Sequence, residues 1–458
     1  MRFSPLLALL AVLLGVVIEN TAELGQRNLE HLLGLPAATI GAALLALLAA
    51  AWAWWALRGD RTEWTALTLR LVRFLPALAL ADTLRFYPQT KPATWTAASG
   101  TCYLLALAAL VAAAAWPRVP RAAIAGLGLA IGLALRLFLI LHDRTPLAGD
   151  MQALVDAAAG ELLRGRAPYH WYYLPWGVPL TYLPGTLLAY VPGRALGLAP
   201  RGTNLVAEVV LAALLVLAAR DRQRPRLEHP ALLIVASTFL LQGPLEWFRL
   251  TAHVPGWTLL AAALVLTARR HRAVGPVWGL ALATSVFAAP FFPLAAVATA
   301  HERGWRAALA MTAQAAAVTA VLVLPFVLSA PQDFYTGAVA WFGDVGRFPA
   351  LRWSTLRTWR EYPGLAGLFW TLGLERWLQR LQVVAVAALV ALFWRKGGRS
   401  PAVPAFGVAV FLAFMICNHM LWPYFYQPAI VAALCALVTA PAASNQIVAA
   451  GSISARSP

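Results

Sequence analysis

Apolar residues run along this chain in blocks of about 17–25, the length that carries an α-helix across a hydrocarbon core. The blocks fall near 3–18, 37–57, 65–81, 99–116 and 121–141, then 203–219, 229–243, 255–268, 307–328, 377–394, 401–417 and 423–439. Two stretches break the rhythm. Residues 176–200 are punctuated by Pro179, Pro184, Pro192 and Pro200, too many for one uninterrupted spanning helix. Residues 274–300, interrupted at Pro290 and Pro293, read as a hairpin of two short helices. A third departure is polar. From Asp150 to Tyr169 the spacing becomes that of an amphipathic helix, with Met151, Leu154, Val155, Ala158 and Leu162 on one face. Gln152, Asp156, Arg164 and Arg166 avoid that face. Asp150 stands at its N-cap, Gly165 at its stop, and Pro168 forbids its continuation. Such a helix lies along a membrane surface and does not cross it.

Composition sharpens this to an integral membrane protein. Of 458 residues 61% are hydrophobic and 12% charged, and soluble domains carry about twice that charged fraction. The net charge of +17 is almost all arginine, since the only lysines are Lys91 and Lys396. On a soluble chain that balance would suggest nucleic acid. Here the arginines gather in short connections, so cytoplasmic placement and membrane lipid explain them, and no nucleic-acid partner is expected. Full crossings by both 178–198 and 203–219 would put the run Arg220–Arg226 outside; a 176–200 segment with no net crossing keeps it inside. That topology places Asp150, His253, the 329–376 loop and His419 on one outer face. Cys102, Cys417 and Cys435 lie in apolar segments without a pairing pattern and read as buried, inert thiols. The first block reads as an uncleaved helix, because Glu19-Asn20-Thr21 is no small-residue cleavage site. The Ser/Ala-rich 441–458 tail reads as disordered.

Absent motifs remove several chemistries. No glycine-rich loop precedes either lysine, no Asp-x-Asp pair marks a metal-chelated nucleotide sugar, and no His-Glu-x-x-His or Gly-x-Ser-x-Gly occurs. No metal site or cofactor is expected. Acid–base work by a carboxylate remains. Asp150 is the leading base for an acceptor hydroxyl, although an N-cap role accounts for it equally well and the two can coexist. Asp143, beside Arg144 at the end of a span, fits an interfacial ion pair better. Tyr169 and the aromatic run to Tyr173 suit an interfacial belt or a sugar-stacking surface. Glu246, Arg249 and His253 form an ionisable cluster in a turn, a functional candidate at membrane depth; a self-satisfied Glu246–Arg249 pair accounts for it equally well. His419 sits in a tight turn before the last block. Arg352, with Arg347, Arg357, Arg360 and the accompanying Asp344, is unexpected on an outer loop and suits a phosphate; solvated loop charge accounts for the group equally well.

The order of these features resembles a family. Asp150, then Leu162-Leu163-Arg164-Gly165-Arg166-Ala167-Pro168-Tyr169, then Tyr182-Leu183-Pro184, is similar to the first loop of the GT-C superfamily of integral-membrane glycosyltransferases, and most to bacterial polyprenyl-phosphate-mannose-dependent mannosyltransferases. Gln242-Gly243 and the Gly279–Ala283 run ending in Pro290 add to the likeness, which spans about 121–440. Ser285-Val286-Phe287 stands where that family often carries a lysine, and the spans before residue 120 are additional to its plan. The resemblance implies an all-α, polytopic GT-C-like fold with a juxtamembrane amphipathic helix in an outer catalytic loop. It implies an inverting transfer of a mannose-like hexose or a pentose from a polyprenyl-phosphate donor to a glycolipid, glycan or protein acceptor outside the cell membrane. The expected organisation is 1–120 extra helices, 121–328 core with its first outer loop at 142–175, 329–376 outer loop, and 377–440 final helices. A transporter or flippase of a lipid-linked substrate is the competing class, since broken helices serve transporters too; few acids within the spans and no inverted repeat count against it. A non-catalytic assembly factor is a third.

Overall fold

The computed structural model describes residues 10, 13–18, 21, 31–32, 35–58, 70–90, 96–142, 151–174, 177–219, 230–241, 243, 245, 250–341 and 362–439. Over these residues the protein is a multi-pass α-helical membrane protein, with six helices long and apolar enough to cross a bilayer. The helices that carry the argument are α1 (Ala37–Arg58), α2 (Leu75–Thr90), α3 (Ala97–Ala115), α4 (Arg121–His142) and α5 (Met151–Leu163). They continue as α6 (Pro184–Ala195), α7 (Pro200–Ala219), α8 (Pro230–Leu240), α9 (Val254–Ala268), α10 (Val274–Thr284) and α11 (Phe292–Arg303). The last are α12 (Trp305–Ser329), α13 (Arg376–Arg395), α14 (Val403–Ile416) and α15 (Gln427–Thr439). Two short antiparallel ladders accompany them; one pairs Trp171–Tyr173 with Gly177–Pro179, strands that the helical pattern does not anticipate.

Helix ends sort into two groups. At a basic end, the Arg73 guanidinium donates to carbonyls at the close of α3 and just beyond it, at Ala113, Ala114, Trp116 and Val119. Arg269 donates to Ala218 at the end of α7 (2.6 Å). Arg270 and Glu302 pair through both carboxylate oxygens, at 2.9 and 2.6 Å. Glu302 also accepts the Ser400 amide and hydroxyl, at 3.1 and 2.6 Å. Arg270 has a left-handed φ of 55°, a conformation costly for a side chain with a Cβ, and this saturated clasp holds it. The opposite end gathers the other termini: Gly364 donates to Ala38 (3.1 Å) and Leu365 to Ile416 (2.8 Å).

The two broken stretches follow. The α10–α11 hairpin starts and finishes at the basic end, because the Arg270–Glu302 pair joins the turn before α10 to the last turn of α11. At 11 residues, α10 rises only about 16 Å. Helix α6 has 12 residues, about 18 Å, too short for a spanning helix. Both of its ends stay at the opposite end: Arg194 pairs with Asp156 of α5, and Tyr182, just before α6, accepts from Tyr169. Gly185 lies so close to Ala283 and Thr284 that a Cβ there would overlap them, so a glycine lets α6 press on the tip of α10.

Helices α14 and α15 are buried nearly all round, as expected of central helices that are apolar on every face. Helices α3, α12 and α13 keep large residues such as Leu104, Leu105, Val321, Leu328, Val383 and Val384 exposed, as lipid-facing helices do. Two features differ from the sequence pattern, and a third adds detail to it. The block placed at 65–81 is broken: its described residues are helical at 70–72, turn at Arg73 and Phe74, and resume as a helix from Leu75 to Thr90 that carries Asp82 and Arg85. Cys102 is exposed on α3, while Cys417 and Cys435 are buried. Parts of the 329–376 loop are helical, at Pro331–Ala340 and Ala366–Thr371.

Candidate functional site

Helix α5 begins the site. It ends in two bonds that satisfy its last carbonyls: Arg166 N–H donates to Glu161 (2.9 Å) and Gly165 N–H to Leu162 (2.9 Å). Gly165 at φ 71° makes the turn, the left-handed closure favoured by glycine. Leu154, Val155 and Ala158 are buried against the bundle with Ala159 and Gly160. Gln152, assigned by spacing to the polar face, is buried as well (2% exposed); its Nε2 donates to the Thr251 carbonyl (3.2 Å). The outward face keeps its charges. Glu161 pairs with Arg166 and Arg164, and the Arg166 hydrogen bond leads the interactions that hold its carboxyl below the usual range. Burial pushes the Asp156 carboxyl up, against the pull of Arg194.

Beyond α5 the chain turns into a run of rings. Tyr169 is 2% exposed; its hydroxyl donates to the Tyr182 carbonyl (2.6 Å) and its ring packs on Phe326 and Phe334. In this arrangement Tyr169 positions Tyr182. The Tyr172 hydroxyl donates to Pro168 (2.6 Å), Trp171 meets Trp341 edge-on, and Tyr173 stands free at 82% exposure.

Tyr182 leads to His253. Its ring centroid is 5.3 Å from the imidazole, which is flanked in near-parallel by Trp257 and Tyr424 and edge-on by Phe287 and Phe425. These rings come from the entry to α6, from α9, from the tip of the α10–α11 hairpin, and from the Pro423–Tyr426 turn. Burial pushes the His253 imidazole down to about 4, so it is neutral near pH 7 and offers one donor and one acceptor. His419, in the turn between α14 and Pro423, is buried, and its Nε2 has no hydrogen-bond partner among the described residues; burial holds its pKa down too.

Of the residues singled out by sequence, Tyr169, His253 and the turn containing His419 thus meet at the end opposite the basic one. Asp150, Glu246, Arg249 and Arg352, with Asp143, Asp344, Arg347, Arg357 and Arg360, lie outside the described residues. The sequence reading missed a pair: Arg136 of α4 and Glu208 of α7 form an ion pair inside the bundle, where the Arg136 Nη1 also donates to the carbonyls of Gly132 and Phe239, both at 2.9 Å. The signal was present, a lone charge in each of two apolar blocks, where buried charge is rarely without purpose.

One lipid-facing feature adjoins this end. A groove of about 380 Å³ runs between the hairpin and α12, walled by Leu282, Phe292, Ala315, Ala316, Val323 and Val327, with Thr312 and Thr319 among its few polar groups. From Thr312 to Val327 it follows α12 for about 22 Å, and next to its last residue Phe326 packs on Tyr169. Comparison of the chain with models of protein families, with curated proteins and with solved structures finds no match.

Proposed function

We propose that the protein is an integral-membrane glycosyltransferase of GT-C-like fold that moves a sugar from a polyprenyl-phosphate carrier to a hydroxyl acceptor on the extracytoplasmic face of the cell membrane. The observation that carries this reading is the groove beside α12, apolar, chain-length, and finishing at Val327, whose neighbour Phe326 packs on Tyr169. A prenyl chain would lie along it with its phosphate toward the connections that bear the candidate residues. Helix α5, with an apolar side turned to the protein and Glu161, Arg164 and Arg166 turned outward, fits the juxtamembrane amphipathic helix of such an enzyme. The sequence order Asp150, Gly165, Pro168-Tyr169 and Tyr182-Leu183-Pro184 supports the same assignment.

The chemistry is a single displacement. The acceptor oxygen attacks the anomeric carbon and gives its proton to the Asp150 carboxylate. The bond from that carbon to the phosphate oxygen breaks, and polyprenyl phosphate leaves with the electron pair, inverting the centre. Charge growing on the phosphate calls for cations, and Arg249 and Arg352 are the residues assigned to it. Glu246, His253 and His419 would hold sugar hydroxyls, with the neutral His253 imidazole serving as donor and acceptor.

The test uses purified protein in detergent with labelled polyprenyl-phosphate-mannose and a hydroxyl acceptor. Asp150→Asn, which retains capping ability but takes no proton, is expected to abolish product while expression and folding persist. Full activity in that variant would exclude Asp150 as base. The buried Arg136–Glu208 pair favours a second reading, a transporter or flippase, since intramembrane charge also marks substrate paths. Translocation of the lipid-linked sugar in sealed vesicles without a new glycosidic bond would select it.

A further inference from the structure

Helix α7 turns a row of polar residues, Arg201, Asn204 and Glu208, into the bundle on its buried face. The last two hold different partners. Glu208 accepts from Arg136 of α4, and Arg136 reaches Phe239 of α8 as well (2.9 Å). One turn away, the Asn204 amide nitrogen donates to the Thr251 carbonyl (2.8 Å), and its oxygen accepts the Tyr190 hydroxyl of α6. The same Thr251 carbonyl receives Gln152 of α5 (3.2 Å). On the other side of His253, the Thr258 hydroxyl donates to the Ala207 carbonyl of α7 (2.9 Å). The turn that carries His253 is therefore fastened to α7 both before and after the histidine. Helix α7 is fastened in turn to α4 and α8 by the ion pair.

We propose that α7 is a positioning strut for the His253 site, with Glu208 as its anchor and Asn204 and the Ala207 carbonyl as its attachment points. A buried ion pair is a costly way to hold helices together, because both charges must be desolvated. Its return here is placement: rotating or sliding α7 would move Thr251, His253 and, through Gln152, the start of α5 together. Glu208 and Asn204 are positioning residues, and the catalytic part of this inference rests on the transferase reading.

The experiment separates the two claims by using a structural readout beside the kinetic one. In full-length protein in detergent, amide hydrogen exchange is compared for wild type, Glu208→Gln, Thr258→Val and Glu208→Asp, which keeps the charge on a side chain one methylene shorter. Glu208→Gln keeps shape and hydrogen bonding but removes the charge. In Glu208→Gln faster exchange is expected at 250–258 and 151–163, with α12 to α14 unchanged, and a smaller increase in Glu208→Asp. Thr258→Val, which touches no charge, is expected to loosen 250–258 alone. In the transfer assay, Glu208→Gln should lower kcat roughly 10–100-fold, the scale of an ångström-size misplacement, while KM for donor and acceptor changes little. Unaltered exchange at 250–258 in both variants, or exchange raised equally over every helix, overturns the strut. The expected exchange pattern with a wild-type kcat in Glu208→Gln overturns its service to the site. The expected pattern in a wild-type protein that transfers no sugar leaves the strut standing and removes the transferase reading.

Discussion

The His253 imidazole is pressed between Trp257 and Tyr424, with Tyr182, Phe287 and Phe425 completing the surround, and that setting determines its titration. Burial lowers the folded-state pKa to about 4 from 6.5. The unfolded chain therefore binds a proton over that interval that the folded chain refuses, so stability is full above the higher value and falls as pH drops toward the lower one. Thermal midpoints in detergent should decline between those pH values, and His253→Phe, which keeps an aromatic ring in the box, should flatten that limb. A limb of unchanged slope in the variant would show that another group titrates there. Other residues were only half legible in the sequence. The spacing at Gln152 put it on the polar face, yet α5 meets the buried Thr251 carbonyl, whose second lone pair draws in a donor that periodicity assigns to water. Arg136 and Glu208 were visible as lone charges, but their union depends on how α4 and α7 pack, which a linear pattern does not encode.

Helix ends were the most legible elements. Gly165 stops α5 at φ 71° and Pro184 opens α6 at its first position, both as the residue types dictate. The space around Gly165 is open to a Cβ, so Gly165→Ala isolates the backbone term: about 1–2 kcal/mol for a left-handed residue with a side chain. The expected result is a lower thermal midpoint and faster amide exchange confined to the last turn of α5 and the Pro168–Tyr172 run; an unaltered exchange map would mean that the turn does not govern α5. Proline spacing also exposed the two segments that break into short helices, because a ring that removes a donor and fixes φ acts wherever the chain goes. The α2 boundary was less legible. Asp82 and Arg85 made the apolar block seem to end at 81, while the helix continues to Thr90, since backbone hydrogen bonding does not require apolar side chains.

For the whole molecule, the arginine distribution was the informative signal. The alternation it demanded, with 176–200 as an excursion and 274–300 as a hairpin, agrees with the way helix ends sort in the fold, Arg269, Arg270 and Glu302 at one end and His253 with the Pro423–Tyr426 turn at the other. Single cysteines at Tyr173 and Lys396, both exposed, test the sidedness that cytoplasmic arginine implies. An impermeant thiol reagent is expected to label the first in intact cells and the second only after permeabilisation. The reverse pattern would put the His253 end in the cytoplasm and remove the extracytoplasmic site. The length of α9 carries a consequence of its own. Its 15 residues climb about 22 Å from the arginine-marked turn to His253, short of a hydrocarbon core about 30 Å thick. A helix that short thins the bilayer beside it or lets a flank dip, and either shortens the sideways path by which a lipid-borne head group would reach the His253 rings without leaving its leaflet.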